Sequence, residues 1–385
     1  MKLERHYSIG SLRQEARRRL PSGVFHFVDG AAEDEVTARR NETSLAALQL
    51  LPRALAGTTA RGQQLQLFGR PIAHPMLIAP TGSAGLLWPQ GEIAAARAIM
   101  ASGSIYVASH ASTVSLEALA RATDGRRWFQ SFVFRDPSLT DRMMERALAA
   151  DYEALVINVD TQVPSKRERD LRNGFTSPPR WTPGTVASYA LRPGWAWRLA
   201  RGGRIGMANY EEIGFASLLK AGQRIPTLVD PAASWIDIRR IRDRWKRKLV
   251  IKGLLDPAEV ARACEEGVDA VVVSNHGGRQ LDGAVASIDV LSAAVSAAAG
   301  RLPVLLDGGI RRGSDVLKVR ALGGTAVLLG RAHLWGLAVA GEAGVARAIA
   351  ILRAELDQAM AMTGCDGVES IGPDIIWHGA TLSKP

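Results

Sequence analysis

The sequence predicts an α/β chain folded as a (β/α)8 barrel, and three observations predict it. From residue 76 onward, eight short apolar runs recur: Met76–Ala79, Ser104–Ser109, Trp128–Val133, Ala154–Asp160, Lys248–Lys252, Ala270–Asn275, Pro303–Asp307 and Thr325–Gly330. Their start-to-start spacings are 28, 24, 26, 94, 22, 33 and 22 residues, the length of a strand–helix unit everywhere but once. The runs are continuous rather than alternating (VVVS, PVLLD, AVLLG), as parallel strands covered on both faces require. An open doubly wound sheet is the alternative, and the lack of a Gly-x-Gly-x-x-Gly turn counts against it.

Residues 1–70 form an N-terminal extension, helical over Ile9–Leu20 and mixed beyond. Between the runs, Gly91–Ser102, Ser115–Ala122, Leu139–Ala150 and Pro257–Glu266 carry apolar residues at helical spacing behind polar starts. The long gap holds an insertion, residues 176–235, with too many Pro and Gly residues (SPPRWTPG, LRPGWAWRLARGGRIG) for one regular element. Residues 1–385 therefore read as one decorated barrel. Of 385 residues, 22% are charged and 47% apolar, which excludes a disordered or collagen-like chain. Two cysteines, Cys264 and Cys365, cannot build a disulfide framework or a Cys-rich metal site, and no metal is expected. No apolar run approaches ~18 residues, and the N-terminus lacks the apolar core of a signal peptide, so a cytoplasmic chain is expected. Lys and Arg exceed Asp and Glu by 48 to 38, a net +10 that points to an anionic partner.

Barrel chemistry sits at the C-terminal strand ends. Thr81, Ser109, Gln130, Asn158, Asp160, Lys252, His276, Arg279, Asp307, Arg311 and Arg331 fall there. Asp307-Gly-Gly-Ile-Arg-Arg-Gly313 and Gly330-Arg331 each precede a helix. Their glycines admit an anion to backbone N–H groups and their arginines supply forked donors, so both read as phosphate-binding. In Ser274-Asn-His-Gly-Gly-Arg-Gln-Leu-Asp282, His276 is a candidate general base, Arg279 a candidate carboxylate clamp, and the two glycines leave room for a ligand.

These motifs, together with IAPTG at 78–82, WFQ at 128–130, NVDT at 158–161 and LLGRA, resemble the FMN-dependent α-hydroxy acid dehydrogenases and oxidases. The likeness spans nearly the whole chain and is nearest to the bacterial membrane-associated mandelate and lactate dehydrogenases. It implies oxidation of an L-2-hydroxy acid, mandelate-like and larger or more aromatic than lactate, to the 2-keto acid. His276 would take the hydroxyl proton, hydride would pass to flavin N5, and electrons would go on to a quinone-like acceptor. It further implies that Asp160 supports His276 and that Arg167 and Arg279 clamp the carboxylate. Lys252 would sit beside flavin N1/O2, Ser109, Gln130 and Asn158 would contact the ring, and Ala79, Pro80, Thr81 and Gly82 would lie along it. Asp307, Gly309, Arg311, Gly330 and Arg331 would hold the phosphate end. Gly82, where family oxidases tend to carry alanine, implies poor direct use of O2. A homo-oligomer is implied by the family alone.

Two departures stand out. The family places tyrosines where this chain has Phe27 and Phe132, so two hydroxyls toward substrate are missing, each worth ~1.5–3 kcal/mol against a charged group. A changed substrate, altered flavin chemistry such as oxidative decarboxylation, an O2-using oxidase, or a catalytically weakened FMN protein would each account for this. The retained His276, Asp160, Arg167, Arg279 and Lys252 favour the first. His26 and His110 lie near the pocket in sequence and read as partly exposed histidines or as replacement donors. Residues 176–210 carry Arg180, Arg192, Arg198, Arg201 and Arg204 without an acid, and Trp181, Trp195, Trp197, Trp235 and Trp245 fall between 181 and 245. This segment reads either as a lid over the site or as a face for an anionic membrane. A second basic cluster, Arg239–Lys248, reads as a solvated helix face. Nucleic-acid binding is unsupported by any module. A flavin-free barrel acting on a sugar phosphate is the fold-level alternative.

Overall fold

The structure is a computed structural model that describes residues 2–176, 178–202, 205–213, 225 and 227–377. Eight parallel strands close into a barrel: β1 (Met76–Ile78), β2 (Tyr106–Ser109), β3 (Arg127–Ser131), β4 (Ala154–Asn158), β5 (Lys248–Leu254), β6 (Ala270–Val273), β7 (Val304–Asp307) and β8 (Ala326–Leu329). All eight coincide with the apolar runs, and nearly every strand residue is buried because helices cover the outside and side chains fill the inside. Helices start where the sequence supplies caps. Asp136 and Asp256 each accept a backbone N–H two residues on, with Pro137 and Pro257 at the first helical position.

The N-terminal extension is more helical than the sequence suggested. Helices Ile9–Arg19, Ser22–Asp29 and Val36–Ala47 follow one another. Ile9, Leu12 and Ala16 form the buried stripe of the first, packed against the long helix Arg331–Thr363. In the third, Thr37, Asn41 and Leu45 face inward, and Asn41 exchanges two amide hydrogen bonds with Asn275 (2.8 and 2.7 Å). The N-terminal segment is thus tied to the loop after β6.

Helix Arg331–Thr363 qualifies by length and composition as a membrane span, contrary to the expectation that no apolar run was long enough. It is a core helix: 67% of its apolar window is buried in the molecule, and Ala340–Gly341 break its helical geometry. The cluster Arg239–Lys248 is not merely solvated. Arg239, Arg240, Arg242, Arg244, Arg247 and Lys248 all pair with carboxylates of neighbouring elements, so this charge is spent within the fold. In the insertion, two short helices, Pro183–Ala190 and Pro193–Arg201, precede a 3-10 turn at Ala208–Ile213. Arg204 lies outside the described residues.

Candidate active site

All eight strands end at one cavity of about 710 Å³. Its wall includes Ala79, Pro80, Thr81 and Gly82 after β1, Ser109 and His110 at β2, and Gln130 and Phe132 at β3. Asn158 closes β4 and Lys252 lies near the end of β5, followed by His276 and Arg279 after β6, Asp307, Gly309 and Arg311 at β7, and Gly330 and Arg331 after β8. Phe27 comes from the N-terminal extension, and Arg167 from the segment after β4. Of the residues singled out from sequence for this site, Asp160 alone does not line the cavity; it stands behind His276. His26 is also away from it, beside Arg169.

His276 Nδ1 lies 3.0 Å from Asp160 Oδ1. The carboxylate accepts the Nδ1 proton, which leaves Nε2 unprotonated in the neutral ring, the form a base needs. Burial alone would push the Asp160 carboxyl up, but His276 and Lys252 beside it hold it below the usual carboxylate range. Backbone geometry aims the ring. His276, Gly277 and Gly278 all adopt left-handed φ (56°, 63° and 74°), a conformation that a histidine holds only under tertiary constraint. Gly277 lines the cavity, and both glycines also have close neighbours. A Cβ on Gly278 would lie 2.5 Å from Ala38 N and one on Gly277 3.2 Å from Arg331 Nη1, so they permit close packing against the N-terminal helix and Arg331. Gly253 (φ 114°), at the irregularity in β5, plays the same part for Asp160, whose Cβ would be 2.7 Å from any side chain there.

Lys252 connects the halves of the site. Its Nζ is 2.9 Å from Asp307 Oδ2 and 2.9 Å from Ser274 Oγ, which also accepts the His276 backbone N–H at 3.0 Å. Burial alone would push this ammonium down, but Asp307 and Asp160 keep it above its ordinary value. Arg279 lies half-buried over the Phe27 ring and donates through Nη1 to the carbonyls of Phe27 and Gly30. Arg331 likewise donates to the carbonyls of Val28, Gly30 and Gly277, and Arg311 to Ile310 and to the Glu42 carboxylate. Burial lowers the pKa of all three, and like charge adds to it: Arg331 falls to about 10 with Arg311 next to it. Arg167 is lowered by burial too. Positive charge of this density, only partly offset by Glu42, Asp170 and Asp307, fits an anionic ligand.

The site also carries unmet acceptors. Among the described residues, Asn158 Oδ1, Asp307 Oδ1 and Thr161 Oγ1 are buried without a partner, while a Cβ on Gly330 would meet nothing within 4 Å. A ligand with ring N–H or hydroxyl donors at one end and a phosphate at the other fits this donor set. Asp307 is better matched to a ligand hydroxyl than to the phosphate assigned to it from sequence, because two anions repel and one of its oxygens already holds Lys252.

Sequence reasoning missed several residues. Ser274 lies inside the His276 motif and could have been found there. Asp170 stands three residues after Arg167 on the cavity wall; burial pushes its carboxyl up, although Arg279 and Arg167 oppose this. Phe175, Met207, Ile225 and Val229 also line the cavity and had no local signal. His110 is not partly exposed: it is 5% accessible and bonded to Tyr210, a hundred residues away.

A family model described as FMN-dependent dehydrogenase matches residues 16–378. The (S)-mandelate dehydrogenase of Pseudomonas putida is 38% identical over 380 residues, covering 98% of this chain and 96% of its own. The L-lactate dehydrogenase of Pseudomonas paraeruginosa is 38% identical over 376 residues, covering 94% and 96%. A crystal structure of the monotopic membrane protein (S)-mandelate dehydrogenase superposes with a TM-score of 0.92 at 38% identity, covering 97% of this chain and 99% of that one. One of mandelate oxidase with (S)-2-phenylpropionate gives 0.80 at 36%, covering 95% and 97%.

Proposed function

The chain belongs to the FMN-dependent dehydrogenase family and oxidises 2-hydroxy acids with FMN, and from that premise we propose an aromatic, mandelate-like L-2-hydroxy acid as its substrate. The observation that carries this choice is the cavity wall. Phe27 and Phe175 stack at 4.7 Å, and Phe132, Val163, Leu171, Ile225 and Val229 extend an apolar surface beside His276. A phenyl ring finds apolar partners there, whereas a lactate methyl leaves most of that surface uncovered.

FMN, when bound, supplies the acceptor for the hydrogen and two electrons that leave the α-carbon. Asn158, Gln130 and Ser109, which line the cavity, would hydrogen-bond its ring, and Lys252 would supply a cation beside it. Asp307 would accept from a ribityl hydroxyl, while Gly309, Gly330, Arg311 and Arg331 would surround its phosphate. On the substrate side, among the described residues Arg279 keeps two nitrogens uncommitted and Arg167 its terminal pair, enough to clamp a carboxylate from two directions. His276 Nε2 takes the proton of the α-hydroxyl. Asp160 keeps the Nδ1 proton and offsets the charge that the imidazolium gains. Met207, Ile225 and Val229 of the insertion add apolar surface to the cavity wall.

The electron acceptor is quinone-like in this reading. Gly82 is pressed against Ala111, where a Cβ would lie 2.9 Å from Ala111 Cβ, so alanine is sterically disfavoured at the position that family oxidases fill with it. The chain would meet an anionic membrane through the insertion helices. Trp181, Val186, Leu191 and Trp197 are between 52% and 70% exposed there, with Arg180, Arg192 and Arg201 alongside. Anaerobic mixing of the yellow holoenzyme with single 2-hydroxy acids tests the substrate. Mandelate is expected to bleach the flavin at least about tenfold faster than lactate. Faster bleaching by lactate defeats the aromatic assignment.

A further inference from the structure

On the cavity wall that carries Phe132, one side chain offers polar chemistry of a kind the proposed mechanism does not use. His110 follows the end of β2, is 5% exposed, and meets the Phe132 ring edge-on at 4.5 Å. Its Nδ1 lies 2.6 Å from the hydroxyl of Tyr210, which is fully buried. The neighbouring Asn209 fixes this contact. Its amide nitrogen donates to the His110 carbonyl at 3.0 Å and its oxygen accepts the Leu116 backbone N–H at 2.9 Å.

The proton positions follow from these partners. A phenol O–H sealed from water donates to whatever acceptor it reaches, because leaving it unmet costs about 1–3 kcal/mol. Nδ1 of His110 is the acceptor in reach, so Tyr210 donates to it and Nδ1 carries no proton. Burial, with the nearby His276 adding to it, holds the His110 pKa near 3, so the ring is neutral at physiological pH and its one proton sits on Nε2. Among the described residues Nε2 has no partner, and it is not one of the buried atoms cut off without one. The cavity wall it belongs to is the wall beside His276.

We propose that His110 is a further catalytic residue, whose Nε2–H donates a hydrogen bond to the α-oxygen of the 2-hydroxy acid while Tyr210 fixes the tautomer. The assignment rests on the 2-hydroxy acid reading above and deepens it. As His276 removes the hydroxyl proton, negative charge grows on that oxygen before it becomes the keto oxygen. A neutral donor on the same cavity wall, its ring held by Tyr210, would stabilise the charge where it develops. A charged imidazole there would repel the imidazolium forming on His276, so the burial that keeps His110 neutral serves the same step. His110, in contact with the Phe132 ring, would then supply the donor that Phe132 lacks.

The test is the limiting rate of anaerobic flavin reduction by mandelate in the holoenzyme, with FMN content measured alongside. His110→Phe keeps the ring and removes the donor, and should slow reduction about 100-fold with FMN retained. His110→Gln places an amide N–H near the Nε2 position and should stay within about tenfold of wild type. Tyr210→Phe releases the tautomer and should fall between the two. A His110→Phe rate within about twofold of wild type, or a Gln variant as slow as the Phe variant, overturns the assignment. If His110→Phe loses FMN, Tyr210→Phe decides, and a wild-type rate in it overturns the assignment. Failure of every 2-hydroxy acid to bleach the wild-type flavin defeats the functional reading and this assignment with it. Normal wild-type bleaching beside an unaffected His110→Phe defeats this assignment alone.

Discussion

Each acid–base residue of the site is governed by a neighbour that the sequence places far away. His276 depends on Asp160 for its tautomer and on Ser274 for its backbone position, and Ser274 in turn holds Lys252. The strand-end residues were legible in sequence because a parallel barrel fixes where strands end, and Asn158, Lys252, His276 and Asp307 sit at, near or just past such an end. The partnership of His110 with Tyr210 was not legible, since no spacing rule joins the end of β2 to a turn a hundred residues on. Phe132 gives the prediction at this scale. Its ring lines the cavity at 8% exposure, so a para-hydroxyl would enter the space where small substrates lack contacts. Phe132→Tyr should raise kcat/KM for lactate by about tenfold, the worth of one hydrogen bond to a charged or charging group, and leave mandelate unchanged or slower. Steady-state kinetics on both acids checks it, and a loss on lactate would show that the hydroxyl has no partner there.

At the level of elements, the proposed function rests on the β5 irregularity, the loop after β6 and the insertion. Gly253 lets β5 pass against Asp160, and its φ of 114° is one that side chains rarely adopt. Gly253→Ala should preserve the barrel, read by circular dichroism, and reduce flavin reduction by about 100-fold through displacement of Asp160. Unchanged activity would mean that the Asp160–His276 contact tolerates a shift of β5. The insertion was legible as one irregular, Arg- and Trp-rich segment, but composition could not sort its tryptophans. Trp195 is buried, with its indole N–H on the Leu86 carbonyl, and Trp245 is buried against β5, whereas Trp181 and Trp197 face outward. Changing Trp181, Leu191 and Trp197 together to Ser should abolish co-sedimentation with phosphatidylglycerol vesicles and leave soluble turnover intact. Undiminished co-sedimentation would place the lipid contact elsewhere. The second basic cluster carries the opposite lesson: its charges looked alike in sequence, and the fold paired nearly all of them with acids.

Across the whole molecule, the basic residues behind the net charge of +10 include arginines that ring the cavity and arginines on the insertion, while others are neutralised in pairs within the fold. The barrel itself was readable because its period and its continuous apolar runs survive in a single sequence. The third N-terminal helix was less so, since its inward positions include the polar Thr37 and Asn41. Buried histidines set the pH response of stability. Burial holds His74 and His110 near 3 and His333 near 4, all below the ordinary 6.5. Below pH 6.5 the unfolded chain therefore binds more protons than the folded one. The stability linked to these groups is full above that pH and is lost progressively as pH falls toward 4 and 3. The urea midpoint should drop between pH 7.5 and pH 5, and His74→Gln, remote from the cavity, should show a shallower drop than wild type. A parallel drop would assign the acid sensitivity to other groups. The central claim is that His276, oriented by Asp160, takes the substrate proton in an FMN-loaded barrel. Anaerobic mixing of wild type and His276→Ala with mandelate, at matched FMN content, tests it most directly. The account predicts rapid bleaching of the wild-type flavin and a variant that binds FMN fully yet stays yellow. A variant that bleaches at the wild-type rate, or that no longer holds FMN, would contradict it.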